Sequence, residues 1–320
     1  MSTKKCSKTE LCESFRRKFG SRVHFEERLA PYVAFGVGGP AEILVFPKTM
    51  DELAWLSSQA RSHDLSITVI GTGTNLLVVD EGIRGIVISL YDSFNDIEVI
   101  DESPTQTLIK VGGGVEKPHL LNWAISKNLG GLEFSAGVPG TIGGGIYMNA
   151  GTQYGSYGDI LSEVQLFDFH QGPINLKREE VHFGYREQTA VKDTLVIFAV
   201  FKLTPSPGHL VKAEVDRIIA ERAAKQPLDH PSCGSTFKNP PGHSAGRLIE
   251  KAGLKGLRIG GAEISIKHGN FILNKDNATA TDILSLIEKI KNHVKQDFGV
   301  DLHCEVITLG PQGKLKLAAP

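Results

Sequence analysis

A chain of 320 residues with 35 basic and 36 acidic side chains, for a formal charge of −1, has no global attraction for nucleic acid or an anionic membrane. Hydrophobic residues make up 41% and charged residues 22%, an ordinary soluble balance with room for two domains or three small ones, so the 35 glycines signal tight turns and ligand-facing loops rather than disorder. No apolar run approaches the ~18 residues that span a bilayer, and the N-terminus, MSTKKCSKTELCESF, lacks a signal-peptide core; the expectation is a cytosolic, monomeric protein that acts on small molecules, with no nucleic-acid or membrane partner.

From residue 20 to 90 short apolar strands, 41–46, 67–70 and 85–90, alternate with one helix. Thr49 and Glu52 have capping-box spacing at its start, and Leu53, Leu56 and Ala60 share a face, so it runs from Asp51 to about His63. From 91 to 204 strands dominate, for example 107–111, 163–169 and 195–203, around a helix near 117–128 that Gly130 and Gly131 stop. Thr-Pro-Ser-Pro-Gly (204–208) reads as a linker into a third unit, 205–310, whose first helix carries a stripe of Val211, Val215, Ile218 and Ile219. A second helix, 280–297, has Thr279 and Asp282 at capping-box spacing, Ile283, Ile287, Ile290 and Val294 inward, and Gly299 as stop. A strand over 300–309 follows, and the tail after Gly310 is read as loosely held.

The stretch GLEFSAGVPGTIGGGIYMNAG (131–151) is so rich in glycine that no regular element is expected, and such a backbone can wrap its N–H groups around an anion, most simply a cofactor diphosphate. A second glycine turn, Gly71-Thr72-Gly73-Thr74-Asn75, imitates the opening of a dinucleotide-binding G-x-G-x-x-G motif, with Asp92 as the supposed ribose acid. Leu76 takes the third glycine position, and Leu-Leu-Val-Val-Asp (76–80) is β-rich where that motif opens a helix. Cys6, Cys12, Cys233 and Cys304 have no metal or dithiol spacing; they read as reduced thiols, Cys233 as a packed one, and no metal site is expected.

The blocks GTGTNLLVVDEGIRGIVISL (71–90), GLEFSAGVPGTIGGGIYMNAG, FGYREQ (183–188), SCGSTFKNP (232–240), AGRLIEKAGLKG (245–256) and HGNFILN (268–274) together resemble the UDP-N-acetylenolpyruvoylglucosamine reductase family, flavoenzymes of peptidoglycan synthesis, in its compact form without an extra substrate-covering loop. The resemblance implies an α+β chain: a two-subdomain FAD-binding fold of the vanillyl-alcohol-oxidase type, placed at 20–90 and 91–204, a C-terminal α+β substrate-binding domain at 205–310, and a tail at 311–320. It also implies that NADPH reduces FAD and that the enolpyruvyl ether of a UDP-sugar is then reduced to a D-lactyl ether, giving UDP-N-acetylmuramate.

Carried onto this sequence, Arg186, preceded by Tyr185, becomes the cation beside the enolpyruvyl carboxylate, Ser235 the proton donor, and Glu305 a carboxyl that assists the enolate-like intermediate. The resemblance assigns FAD to Gly71, Gly73, Thr74, Asn75 and Leu76 and to Gly137, Val138, Pro139, Gly140, Ile142, Gly143, Gly144, Asn149, Ala150 and Gly151. Asn75 and Asn149 are its expected side-chain partners. Neither turn holds a His or Cys, which argues for non-covalent flavin. Lys238, Asn239 and Arg247 are the candidates for the UDP-sugar diphosphate. Two departures stand out: Thr74 replaces the usual serine, and Gly36 stands where the family usually carries a basic residue.

Overall fold

The structure, a computed structural model, describes residues 8–190 and 194–314. In the first unit Pro40–Val45, Ile83–Ser89 and Ile67–Ile70 run parallel, with Val23–Arg28 antiparallel at the edge. The helix Met50–His63 buries Leu53, Leu56 and Ala60 as its spacing predicts, and Thr49 Oγ1 accepts the Glu52 N–H at 3.2 Å. Glu52 does not return a bond to Thr49. Its carboxylate accepts the Lys48 N–H at 2.6 Å and binds the Arg22 guanidinium at 2.6 and 2.8 Å. A further helix, Lys8–Phe19, escapes sequence reading because its apolar residues are sparse in a charged segment; Phe15 and Phe19 nonetheless pack edge-on against Trp55, with ring centroids 4.9 and 5.6 Å away.

The second unit is an antiparallel sheet in the order Gly172–Lys177, Leu161–Asp168, Thr194–Pro205, Thr107–Gly112, Ile97–Glu102. The helix Lys117–Ser126 ends before the expected glycines: Asn128 takes the left-handed conformation at φ 58°, and Gly130 pairs with Thr204. Thr204 and Pro205 therefore extend a strand instead of opening a linker. The helix Gly208–Lys225 buries Val211, Val215 and Ile218 in the same cluster as Leu120, Ala124 and Leu129, so it packs on the second unit, while Ile219 stays 43% exposed, outside the stripe.

The third unit joins a three-stranded sheet, Arg258–Ile259, Ala262–Ile264 and Ile272–Asn274, to the helices Ala245–Lys251 and Ala280–Phe298. The capping box of Thr279 and Asp282 is complete, Gly299 closes the helix at φ 69°, and Ile283, Ile287, Ile290 and Val294 are wholly buried. The expected strand over 300–309 is realised only as Ile307–Gly310; residues 300–306 make a single bridge, Phe237 to Cys304, because the chain is passing between two units rather than along one sheet. Ile307–Gly310 lies parallel to Leu76–Val78 of the first unit, and Gly310 then pairs back to Gly313, so the tail is anchored through Lys314. Residues 315–320 lie outside the described residues. Phe35, Val37 and Leu77 share one core with Phe237, Leu248 and Ile283, which locks the third unit onto the first. Among the described residues no helix is long and apolar enough to cross a membrane.

Asp80, at the exit of the strand Leu76–Val78, caps the helix Ala280–Phe298 from another unit, accepting the N–H groups of Ala280 and Thr281 at 2.9 and 3.0 Å and the Thr281 hydroxyl at 2.7 Å. Burial pushes the carboxyl pKa up, but these bonds outweigh it and hold it below the usual range. Asp80→Ala is expected to lower stability by about 1 kcal/mol in urea melts at pH 7. A depressed folded pKa means that the contribution is present above the unfolded value and fades as pH falls below about 4, so the two chains should converge there.

Candidate active site

The turn after Ile67–Ile70 is shaped by contact. Gly73 sits at φ 64° against the Tyr32 carbonyl and Val33, leaving no room for a Cβ. The second glycine loop meets this turn face to face: a Cβ on Gly71 would stand 2.8 Å from Thr141 Oγ1, and one on Gly140 would stand 2.8 Å from Thr74 Oγ1. Among the described residues the N–H groups of Gly71, Thr72, Gly73, Thr74 and Asn75 donate to nothing, and neither do those of Gly140 and Thr141. A row of unpaired donors on a surface without Cβ atoms fits a diphosphate.

The rest of the 131–151 segment behaves differently from the expectation of no regular element. Thr141 caps a short helix, Ile142–Tyr147, and the N–H groups of Ile142, Gly143 and Gly144 go to Val115 O at 2.9 Å, Gly113 O at 2.8 Å and Thr141 Oγ1 at 3.2 Å. Tertiary bonds thus override the poor helix propensity of glycine. Val138 donates to Ser135 O, Pro139 has no N–H, and Gly137 lies under Arg222. Ala150 donates to Gly145 O at 2.7 Å. Both ends of the Asn149 amide are taken by protein, the oxygen by the Gly158 N–H and the nitrogen by Gly184 O, each at 3.0 Å. Asn149 therefore positions the Phe183–Gln188 hairpin.

That hairpin turns at Tyr185 and Arg186, with Arg186 in the left-handed region at φ 57°, a conformation that costs a residue with a Cβ about 1–2 kcal/mol and is worth holding only for what the side chain reaches. Its Nε donates to Glu305 Oε1 at 2.7 Å and its Nη2 to Gly151 O at 2.8 Å, while Nη1 makes no hydrogen bond among the described residues. Tyr185 stacks on the guanidinium at 5.2 Å and is 53% exposed. Glu305 is held in turn by the first glycine turn: Asn75 Nδ2 donates to the Glu305 carbonyl at 3.0 Å, and Ile307 donates to Asn75 O. Burial raises the Glu305 pKa, and Arg186 only partly offsets the rise.

Ser235 is brought to the same place by backbone. It follows Gly234, at φ 73°, and precedes Thr236, whose carbonyl accepts the Glu305 N–H at 2.9 Å. Its half-buried hydroxyl makes no hydrogen bond among the described residues. Lys238 faces Glu187 at 3.8 Å across the cleft. Asn239 spends its side-chain oxygen capping the helix Ala245–Lys251 through the Ala245 N–H at 3.0 Å, and Arg247 stands exposed on that helix without an ion pair among the described residues. Cys233 is packed, with its thiol toward Leu76 O at 3.2 Å and its pKa pushed up by burial. Asp92, the supposed ribose acid, faces Lys48 at 3.7 Å.

Two cations missing from the sequence reading join the site. Arg222 lies in a cleft of about 280 Å³ with Gly151, Tyr154, Arg186, Lys225 and His268, its buried Nε without a partner. Lys117 is 5% exposed beneath the glycine loop. Each carries a signal in retrospect: Arg222 falls four residues after Ile218 on an apolar stripe, and Lys117 shares the inward face of Leu120, Leu121 and Ala124.

Residues 41–174 match an FAD-binding domain, and residues 226–309 match the UDP-N-acetylenolpyruvoylglucosamine reductase C-terminal domain. The chain is 40% identical over 294 residues to the UDP-N-acetylenolpyruvoylglucosamine reductase of Clostridium botulinum, covering 91% of this chain and 94% of that one. The reductase of Moorella thermoacetica is 39% identical over 302 residues, covering 94% and 98%. This chain belongs to the UDP-N-acetylenolpyruvoylglucosamine reductase family. The crystal structure of that reductase from Thermus caldophilus superposes with a TM-score of 0.76 at 35% identity, over 89% of this chain and 97% of the other. The chain is an FAD-containing oxidoreductase of α+β class, with an FAD-binding domain followed by the C-terminal domain of this reductase family. The unpaired donors at 71–75 and 140–141 are the part of the site that fits the FAD diphosphate.

Asn270 fixes the serine strand of this reductase fold. Buried at 4% exposure, it donates through Nδ2 to Phe237 O at 2.8 Å and accepts the Phe237 N–H at 2.9 Å. Asn270→Ala leaves two buried backbone groups unpaired, an expected loss of about 2 to 4 kcal/mol in denaturant melts, and frees Ser235 to move, so turnover should drop while the flavin stays bound.

Proposed function

We propose that this chain reduces the enolpyruvyl ether of UDP-N-acetylglucosamine enolpyruvate to UDP-N-acetylmuramate, with NADPH as the reductant of non-covalently bound FAD, as a cytosolic step of peptidoglycan synthesis. The observation that carries the reading is the meeting of Arg186, Glu305 and Ser235, from three separate segments, beside the glycine cradle. Once reduced by NADPH, bound flavin would supply a hydride to the terminal carbon of the substrate alkene. An enol ether resists a nucleophile unless its carboxylate is held by a cation, and the Nη1 of Arg186 is available for that carboxylate while Glu305 and Gly151 lock the rest of the guanidinium. The charge that develops on the carbon bearing the carboxylate is then quenched by a proton from Ser235 Oγ. Glu305, its pKa raised by burial, supports that transfer from the neighbouring segment. The UDP diphosphate is assigned to Lys238 and Arg247 of the third unit, with Tyr185 and Asn239 as further substrate contacts, and Arg222 lines the cleft beside Arg186 from the helix Gly208–Lys225.

Ser235→Ala should keep a full complement of FAD and lose product formation by ~100- to 10,000-fold, with Ser235→Cys retaining more because a thiol also donates a proton. Near-wild-type turnover by the alanine variant at confirmed flavin occupancy would remove Ser235 from the reaction. Arg186→Ala should cost on the order of 100-fold or more in turnover, again with FAD retained. Heat precipitation should release intact FAD into the supernatant; flavin that stays with the washed, denatured chain would contradict non-covalent binding.

A further inference from the structure

Lys117 has no place in the reaction described above, and its surroundings are costly for an ammonium group. The side chain is 5% exposed, and its Nζ makes no hydrogen bond or ion pair among the described residues. The stem runs beneath the second glycine loop, within 3.5 Å of where a Cβ on Gly145 would stand, and delivers Nζ to within 3.2 Å of where a Cβ on Gly140 would stand. Thr74 Oγ1 lies 2.8 Å from that same point. The ammonium group therefore ends between the two glycine turns, next to the unpaired N–H groups of Thr74 and Gly140. Its own backbone is fixed there, since Lys117 N donates to Gly140 O at 2.8 Å. Backbone donors and a buried cation converging on one Cβ-free surface make a site for a doubly charged anion.

We propose that Lys117 binds the diphosphate of FAD and is the buried counter-ion of the cofactor, an assignment that rests on the FAD site described above. Uncompensated, the buried ammonium is disfavoured: burial first, and the nearby Arg186 charge second, push its pKa down to about 7. Arg186 comes from the hairpin over the site, and the one carboxylate near it, Glu305, is already taken by that guanidinium at 2.7 Å. Of the elements packed on Lys117, the turn 71–75 and the loop 137–145 carry no ionisable side chain, and Tyr157, whose ring borders Gly145, stays neutral because burial raises its pKa. Among the described residues no protein group thus pairs with the ammonium.

The sign of the coupling follows. The diphosphate favours charged Lys117, so the pKa rises on binding and a proton is taken up above pH 7. FAD affinity is then flat below about pH 7 and weakens above it, by up to tenfold per pH unit until the bound-state pKa is reached. Without FAD the relation reverses: a depressed lysine pKa makes the unfolded chain the better proton acceptor between about pH 7 and its unfolded value, so apoprotein stability rises with pH there.

The test is FAD binding to apoprotein, prepared by stripping the purified holoenzyme and followed by quenching of flavin fluorescence at pH 6 and pH 9. Wild type should bind tightly at pH 6 and on the order of 10- to 100-fold more weakly at pH 9. Lys117→Met, of similar length and without charge, should bind FAD at least tenfold more weakly at pH 6 and show no such pH dependence. Riboflavin, which lacks the diphosphate, should bind both proteins equally. The apoprotein melting temperature of Lys117→Met should equal or exceed that of wild type at pH 6, because a buried charge has been removed. The proposal fails if Lys117→Met binds FAD as wild type does, if it keeps the pH dependence, if riboflavin is weakened as much as FAD, or if the apoprotein itself is destabilised. A wild-type protein that binds no FAD at any pH would overturn the flavin assignment as well.

Discussion

The site depends on one return of the chain. After crossing the third unit, residues 307–310 come back to the first and pair in parallel with Leu76–Val78, the strand that leaves the first glycine turn. This pairing delivers Glu305 to Asn75, and Asn75 grips the backbone on both sides of it, at Glu305 O and Ile307 N. Arg186 then has a fixed carboxylate to meet. Ser235 enters through the same return, because Thr236 pairs with the segment that carries Glu305. Without these backbone bonds the three candidate groups, on three separate segments of two units, would be oriented independently.

A second constraint is electrostatic. Arg186, Arg222 and Lys117 approach one another closely enough that Arg186 depresses the proton affinity of both others, and Glu305 pairs with Arg186 while Glu221 of the cleft pairs with Lys225. Buried like charges are tolerated where a ligand of opposite charge completes them. The excess of cations therefore describes the missing partners: a cofactor diphosphate on the glycine side, and a substrate carboxylate and diphosphate on the cleft side. Backbone strain has the same character. Arg186 at φ 57° is held by Gly151 and Glu305 rather than by local preference.

Much of the fold was legible in sequence because periodicity and caps are local. Thr279, Asp282 and Gly299 bracket a helix whose apolar positions repeat on one face, and Thr49 opens another. Errors came where distant contacts outweighed local signals. The helix Gly208–Lys225 follows a Pro-Gly punctuated segment, yet its apolar stripe has its complement in the second unit. The run Ile142–Tyr147 contains three glycines and is still helical, since residues 113–115 take up its first N–H groups. The strand expected over 300–309 is realised only from Ile307, since the chain before it crosses from one unit to another.

By itself the sequence determined the α+β composition and the two glycine turns, because each is written in residue types at short spacing, and its resemblance to the family singled out Arg186, Ser235 and Glu305 as candidates. Only the tertiary structure decided which donors of those turns are unpaired among the described residues, that both ends of the Asn149 amide and the Asn239 side-chain oxygen bond to protein, and that Lys117 and Arg222 face the site. The physical reason is that a hydrogen bond or a buried charge takes its meaning from the partner it meets, and here the partners lie as far apart in the chain as Asn75 and Glu305.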